Sequence, residues 1–188
     1  MRTAEAFESL YRETPDPWQF ALSTYELNRY EVMLGSLLRA HYHCVFEPGC
    51  SVGVLTARLA ERCDRLIATD IAPTALEQAR RRCESLPHVE LELRGVDEWI
   101  PPGRFDLIVF SEIGYYFSRA RLAQLAASLA DALEPRGEFL AVHWLGESDD
   151  HVLHGDEVHA TLAEALPLTH WLTADHGGFR LDGWVRDV

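Results

Sequence analysis

No stretch of this sequence approaches the roughly 18 uninterrupted apolar residues that a membrane-spanning helix needs, so no membrane partner is expected. The opening run, MRTAEAFESLYRETPDPW, has no apolar segment of the kind that marks a secretory signal. No Cys-x-x-Cys pair occurs. Cys44, Cys50, Cys63 and Cys83 fall within or beside expected core elements, which predicts reduced thiols and a cytoplasmic protein. There is no internal repeat and no low-complexity tract. Basic residues are few: 17 Lys and Arg stand against 30 Asp and Glu, a net charge of −13 with a pI near 5.0. Such a chain repels phosphate backbones, which argues against nucleic acid as a partner. The acidic balance suits solubility first and a cationic substrate second.

What is present is ample for one folded domain. The chain has 188 residues, 47% hydrophobic and 25% charged, enough apolar surface for a single substantial core. Residues 4–12 read as a short helix, ended by Thr14-Pro15-Asp16-Pro17. Ser23 or Thr24 reads as the N-cap of a second helix reaching about Ala40. The remainder alternates strand and helix. Strands are expected at His43–Glu47, Arg65–Asp70, Val89–Arg94, Phe105–Phe110 and Glu138–Trp144, and helices at Val52–Arg62, Pro73–Glu84 and Arg119–Leu133. Glu134-Pro135-Arg136-Gly137 reads as a turn. This succession implies a parallel sheet with helices on both faces. The end of the chain differs. A helix at Asp156–Leu166 precedes two strand-like runs, Leu168–Ala174 and Phe179–Val185, separated by Asp175-His176-Gly177-Gly178, a hairpin signal.

Four segments carry chemistry. The first is VFEPGCSVG, residues 45–53, leaving a strand and entering a helix. Gly49 allows a sharp turn, Gly53 allows close packing, and free N–H groups at the helix start are expected to meet a polar ligand group. The spacing is E-x-G-x-x-x-G, not G-x-G-x-x-G. Glu47 would repel a pyrophosphate, which disfavours a nicotinamide-dependent oxidoreductase and favours a cationic ligand free of phosphate. The second is Asp70, 21 positions after Gly49 at the end of the next strand, placed to accept two ribose hydroxyls or to cap the following helix. The third is Gly95-Val96-Asp97-Glu98-Trp99, where Asp97 can accept from an adenine amino group or cap a turn. The fourth is FDLIVFSEIGYYF, residues 105–117, a buried strand stopping at Ser111-Glu112 and followed by Tyr115 and Tyr116, which line a cation site or pack in the core.

Together these residues resemble the class I S-adenosylmethionine (SAM)-dependent methyltransferases. Glu47-x-Gly49-x-x-x-Gly53 looks like the family's first motif, Asp70 like its ribose-binding acid and Asp97 like its adenine-contacting acid. Phe105-Asp106-Leu107-Ile108 looks like its fourth-strand motif. Closer similarity is to the nodulation protein S (NodS-like) type, carried by Asp16-Pro17-Trp18, Ser23-Thr24-Tyr25-Glu26, Ser111-Glu112-x-x-Tyr115-Tyr116 and Leu153-His154-Gly155-Asp156-Glu157-Val158-His159. The resemblance implies an α/β, Rossmann-like three-layer sandwich. Its sheet is seven-stranded and mostly parallel with an antiparallel last strand, and N-terminal helices lie over the cofactor site. It implies a single domain, with residues 1–41 as helical cap and 42–188 as SAM-binding core.

The implied cofactor residues are Trp18, Tyr25, Arg29, Glu47, Gly49, Cys50, Gly53, Asp70, Ile71, Asp97, Glu98 and Ser111, with Arg29 on the methionine carboxylate. The product is S-adenosylhomocysteine. The implied reaction is methyl transfer to a small molecule, an amine nitrogen first (the named type acts on an amine of a chito-oligosaccharide), a hydroxyl second, with a non-catalytic SAM-binding module as the outsider. A protonated amine must lose its proton to attack. His143, Glu112 and His154 are the candidate bases, and Tyr115, Tyr116, His143 and His154 the candidate substrate contacts. The loose spacing of His143, His151, His154 and His159, with no Cys nearby, argues against a metal. A monomer or homodimer is expected.

Overall fold

The computed structural model describes residues 3–188. Its strands run in the order β3-β2-β1-β4-β5-β7-β6. The elements are α1 (Ala4–Glu13), α2 (Thr24–Gly35), β1 (Tyr42–Pro48), α3 (Val54–Ala60), β2 (Cys63–Asp70), α4 (Pro73–Arg82), β3 (Val89–Leu93), β4 (Phe105–Ser111), α5 (Arg119–Ala132), β5 (Leu133–Trp144), α6 (Gly155–Ala165), β6 (Thr169–Asp175) and β7 (Phe179–Val185), with a single 3₁₀ turn at Gly114–Tyr116. The pairs β1–β2, β2–β3 and β4–β5 are parallel, whereas β7 runs antiparallel to both β5 and β6. The expected mostly parallel sheet closing on an antiparallel hairpin is therefore the one observed. Backbone contacts divide the chain into an N-terminal unit ending at Trp99 and a C-terminal unit, Ile100–Val188.

In the N-terminal unit, β1 and β2 are buried over most of their length, while the edge strand β3, VELEL, leaves its acidic residues exposed. Helix α3 packs on β2, α4 on β2 and β3, and α1 on α4. Two helices stop short of their expected ends. Helix α2 stops at Gly35 instead of Ala40, because the Ser36 hydroxyl binds the Val32 carbonyl and Arg62 binds that of Leu34. Helix α3 is only seven residues long, starting after a left-handed Gly53. A Cβ at Gly53 would lie 2.9 Å from Cα and Cβ of Ala79, so this position both requires φ of +77° and forbids a side chain.

In the C-terminal unit β4 is buried throughout, which is why it reads as an uninterrupted apolar run. The expected turn at Glu134–Gly137 is instead an irregularity inside β5: Leu133 pairs with Phe105, Glu138 already with Leu107, and Arg136 takes φ of +65°. Its backbone is tied to Arg186, whose N–H meets Gly137 O at 2.9 Å. Among the described residues no helix is long and apolar enough to cross a membrane. All four cysteines are buried and outside any disulfide.

Candidate active site

Two segments of the N-terminal unit meet at the Gly turn. After β1 the chain reverses through Gly49 (φ +77°) and Ser51 (φ +51°). The amides of Gly49 and Cys50 both donate to Thr69 O on β2, at 2.7 and 2.9 Å, and Ser51 N–H donates to Asp70 Oδ2 at 2.8 Å. These three turn amides are thus spent in joining the turn to the end of β2. Asp70 Oδ1 also accepts from Ala72 N–H at 2.9 Å, so Asp70 organises the β2–α4 turn, while Ala72 is the formal cap of α4. A carboxylate offers about four lone-pair sites, more than these amides use. The Arg94 amide returns to Asp70 O, and Asp97 Oδ1 folds back over Gly95, 2.9 Å from where a Cβ would sit, next to Ile71. Asp70, Ile71 and Asp97 are therefore brought together, while Glu98 is exposed.

Glu47 lies buried at the end of β1, and its Oε2 has no protein hydrogen-bond partner. Burial, with the Asp70 carboxylate adding in the same direction, pushes its pKa from 4.5 up to about 8. Burial likewise raises Asp70, and it raises the Cys50 thiol, which Asp70 and Glu47 push further. A buried acid with an unpartnered oxygen beneath a glycine turn, Asp70 beside it and no basic side chain in the turn fit a cationic, phosphate-free ligand and oppose a pyrophosphate.

The N-terminal segment is fastened to this turn. Tyr11 OH shares a 2.5 Å hydrogen bond with Ser51 Oγ. Glu8 accepts from Thr74 N–H and Oγ1 at the start of α4, at 2.9 and 2.7 Å, and those two bonds hold its carboxyl below the usual range. Trp18 packs against Tyr11 and Phe7 and stacks on Phe20, with Asp16 accepting from the amides of Phe20 and Ala21. Tyr25 is exposed. Arg29, expected on a ligand carboxylate, is buried and ion-paired with Glu26 one turn earlier on the same helix face. Tyr11, Ser51, Glu8 and Thr74 escaped the sequence reading because each looks there like an ordinary helix or loop residue. Tyr11→Phe is expected to cost about 1 kcal/mol and 2–4 °C of melting temperature, read by thermal unfolding.

In the C-terminal unit, Ser111 ends β4 and Glu112 follows with φ of +61°. A non-glycine residue there costs ~1–2 kcal/mol, a strain that clusters at functional sites; Ser51 shares it. Glu112 Oε1 accepts from Trp144 N–H at 2.8 Å and Oε2 from Tyr115 OH. Tyr115 is buried and stacks face to face on His151 at 3.9 Å, with Tyr116 perpendicular to both rings. His151 is thus part of the aromatic wall. Two of the expected bases have structural partners. His143 is fully buried, its Nε2 accepts from Gly114 N–H at 3.0 Å, and its Nδ1 faces His159 Nε2 at 3.2 Å, so no lone pair is open to a substrate. His154 is the N-cap of α6 in a capping box with Glu157. Glu112 is half-buried, and each of its carboxylate oxygens accepts one hydrogen bond within this unit. Among the described residues no cluster of three or more His, Cys, Asp or Glu is arranged to hold a metal ion.

A family model described as Nodulation protein S (NodS) matches residues 4–165. The nodulation protein S of Rhizobium tropici is 29% identical over 177 residues, 88% of this chain and 73% of that protein. That of Bradyrhizobium diazoefficiens is 34% identical over 119 residues, 62% of this chain and 57% of its own length. Among solved structures, a putative methyltransferase from Pseudomonas syringae is 38% identical, with a TM-score of 0.77 over 87% of this chain and 100% of that one. The N-methyltransferase NodS from Bradyrhizobium japonicum in complex with S-adenosyl-L-homocysteine is 25% identical, with a TM-score of 0.83 over 96% and 97%.

Proposed function

This chain belongs to the nodulation protein S family of SAM-dependent methyltransferases, and from that premise we propose that it methylates the nitrogen of a small-molecule amine. The observation that carries the choice of nitrogen is the Glu112–Tyr115 pair: a half-buried carboxylate in a left-handed backbone, walled by Tyr115, Tyr116 and His151. A carboxylate among aromatic faces attracts an ammonium group and offers its proton an acceptor. The N-methyltransferase activity named for the Bradyrhizobium japonicum relative supports the same choice.

SAM supplies an electrophilic methyl group on a sulfonium. The chain's own groups do the rest. Glu47 offers a buried negative charge to the cationic part of the cofactor, Asp70 accepts from the ribose hydroxyls, and Asp97 accepts from the adenine amino group. The segment around Trp18 and Tyr25 covers the cofactor, held by Tyr11 on Ser51 and Glu8 on Thr74. Glu112 holds the acceptor amine and takes its proton, with Tyr115 OH steadying the carboxylate. Residues 3–41 then act as a cap on one catalytic domain, and four buried cysteines outside any disulfide suit the reducing cytoplasm.

Transfer of labelled methyl from SAM to paired acceptors, amino sugars and aliphatic amines against their hydroxyl counterparts, tests the reading. Methylation of the amines, rising with pH as more of the acceptor becomes neutral, is expected. Methylation of hydroxyl acceptors alone overturns it.

A further inference from the structure

We propose that His143, His159 and Asp182 form a directional hydrogen-bond chain that positions the Gly114–Tyr116 turn, and that His143 serves the reaction as a positioning residue acting through Gly114. The three side chains are buried. Gly114 N–H donates to His143 Nε2 at 3.0 Å. A backbone amide can only donate, so Nε2 carries the lone pair and the ring proton sits on Nδ1. From there it is donated to His159 Nε2 at 3.2 Å, and His159 Nδ1–H is donated to Asp182 Oδ2 at 2.5 Å. The chain has one polarity from end to end, and every ring nitrogen has a defined role.

Asp182 anchors the far end. Arg180 Nε donates to Oδ2 at 2.8 Å, Thr173 Oγ1 donates to Oδ1, and His170 Nε2 lies 3.3 Å from Oδ1. Arg180 is in turn 3.5 Å from Asp156. Burial works against the charge of Asp182, but hydrogen bonds from His159, Thr173 and Arg180 hold its carboxyl well below the usual range, so the anchor remains an acceptor. Reversing any link would set two N–H groups against each other. An imidazolium at His143 would do the same at Gly114.

The near end is built for this contact. A Cβ on Gly114 would lie 2.7 Å from His143 Nε2 and 2.4 Å from Val158 Cγ1, so only glycine lets the amide reach the ring. Gly114 opens the turn that carries Tyr115, whose hydroxyl holds Glu112. Tyr115 also meets the His143 ring edge to face at 5.1 Å. The chain therefore fixes the tilt of the residues read above as the acceptor site; the consequence for catalysis rests on that reading, but the hydrogen-bond chain itself does not.

Two-bond ¹H–¹⁵N correlations on the full-length, ¹⁵N-His-labelled protein read the tautomer directly. A proton on Nδ1 and a bare Nε2 at His143 near neutral pH are expected; the Nε2–H tautomer or an imidazolium overturns the proposal. His143→Gln keeps an acceptor for Gly114 and a donor for His159, whereas His143→Phe keeps the ring and loses both. Exchange of the Gly114 amide with solvent is expected to speed up about tenfold in H143F and much less in H143Q. Equal protection of Gly114 in H143F and the parent overturns the proposal, and if H143F does not fold, the tautomer and H143Q still decide. Affinity for S-adenosylhomocysteine should stay within about twofold in both variants, since the groups assigned to it lie elsewhere. Loss of amine methylation by the parent protein would strike the acceptor reading alone, leaving the ring signature intact.

Discussion

Glu47→Gln is expected to stabilise the ligand-free protein by a few kcal/mol at pH 8 and to change little at pH 4. The parent carboxyl titrates at 4.5 when unfolded and at about 8 when folded. Between these values the folded state holds a proton that the unfolded state has released. Stability therefore falls as pH rises from about 4.5 to about 8, and the penalty is complete above that window. Gln removes the titration and flattens this part of the profile. Thermal or urea unfolding at several pH values reads it, and an unchanged slope in E47Q would show that the buried acid does not govern it. Saturating S-adenosylhomocysteine should flatten the parent's profile in the same way, because its ammonium favours the ionised form. In E47Q the ligand should bind more weakly. The acid proposed to bind the cofactor is thus a stability cost carried by the empty protein.

Asp70→Asn should raise the dissociation constant for S-adenosylhomocysteine by roughly a hundredfold or more, since two hydroxyl–carboxylate bonds of ~1.5–3 kcal/mol each are weakened or lost. Folding should suffer far less. The amide oxygen still accepts one of the two backbone bonds from Ser51 and Ala72, and a buried charge disappears. Calorimetric titration separates the effects. An analogue lacking both ribose hydroxyls should bind parent and variant alike. Unchanged affinity in D70N for the normal ligand would remove Asp70 from the ribose.

The glycine turn and the strand ends were legible because their signals are local. Gly49 and Gly53 stand where the backbone takes positive φ, Glu47 and Asp70 end buried strands, and the Gly177-Gly178 pair joins β6 to β7. Turn chemistry and period-two apolar runs depend on neighbours in the chain, so order along the chain was sufficient. The bases were not legible. The surroundings of His143 are set by Gly114, His159 and Asp182, 29, 16 and 39 positions away. His154 caps α6, because that helix begins at Gly155.

By itself the sequence determined the order of strands and helices, the acidic glycine turn and the cofactor class, since steric freedom, apolar periodicity and unlike charge act over a few residues. Only the tertiary structure decided which polar groups have a lone pair or proton to spare. It spent the turn's amides on Thr69 and Asp70, closed the His143 ring, paired Arg29 with Glu26, and left Glu47 Oε2 buried without a protein partner. Hydrogen-bond capacity is finite and is shared among groups distant in the chain, so the residues left with chemistry to do emerge only once the fold has satisfied the others.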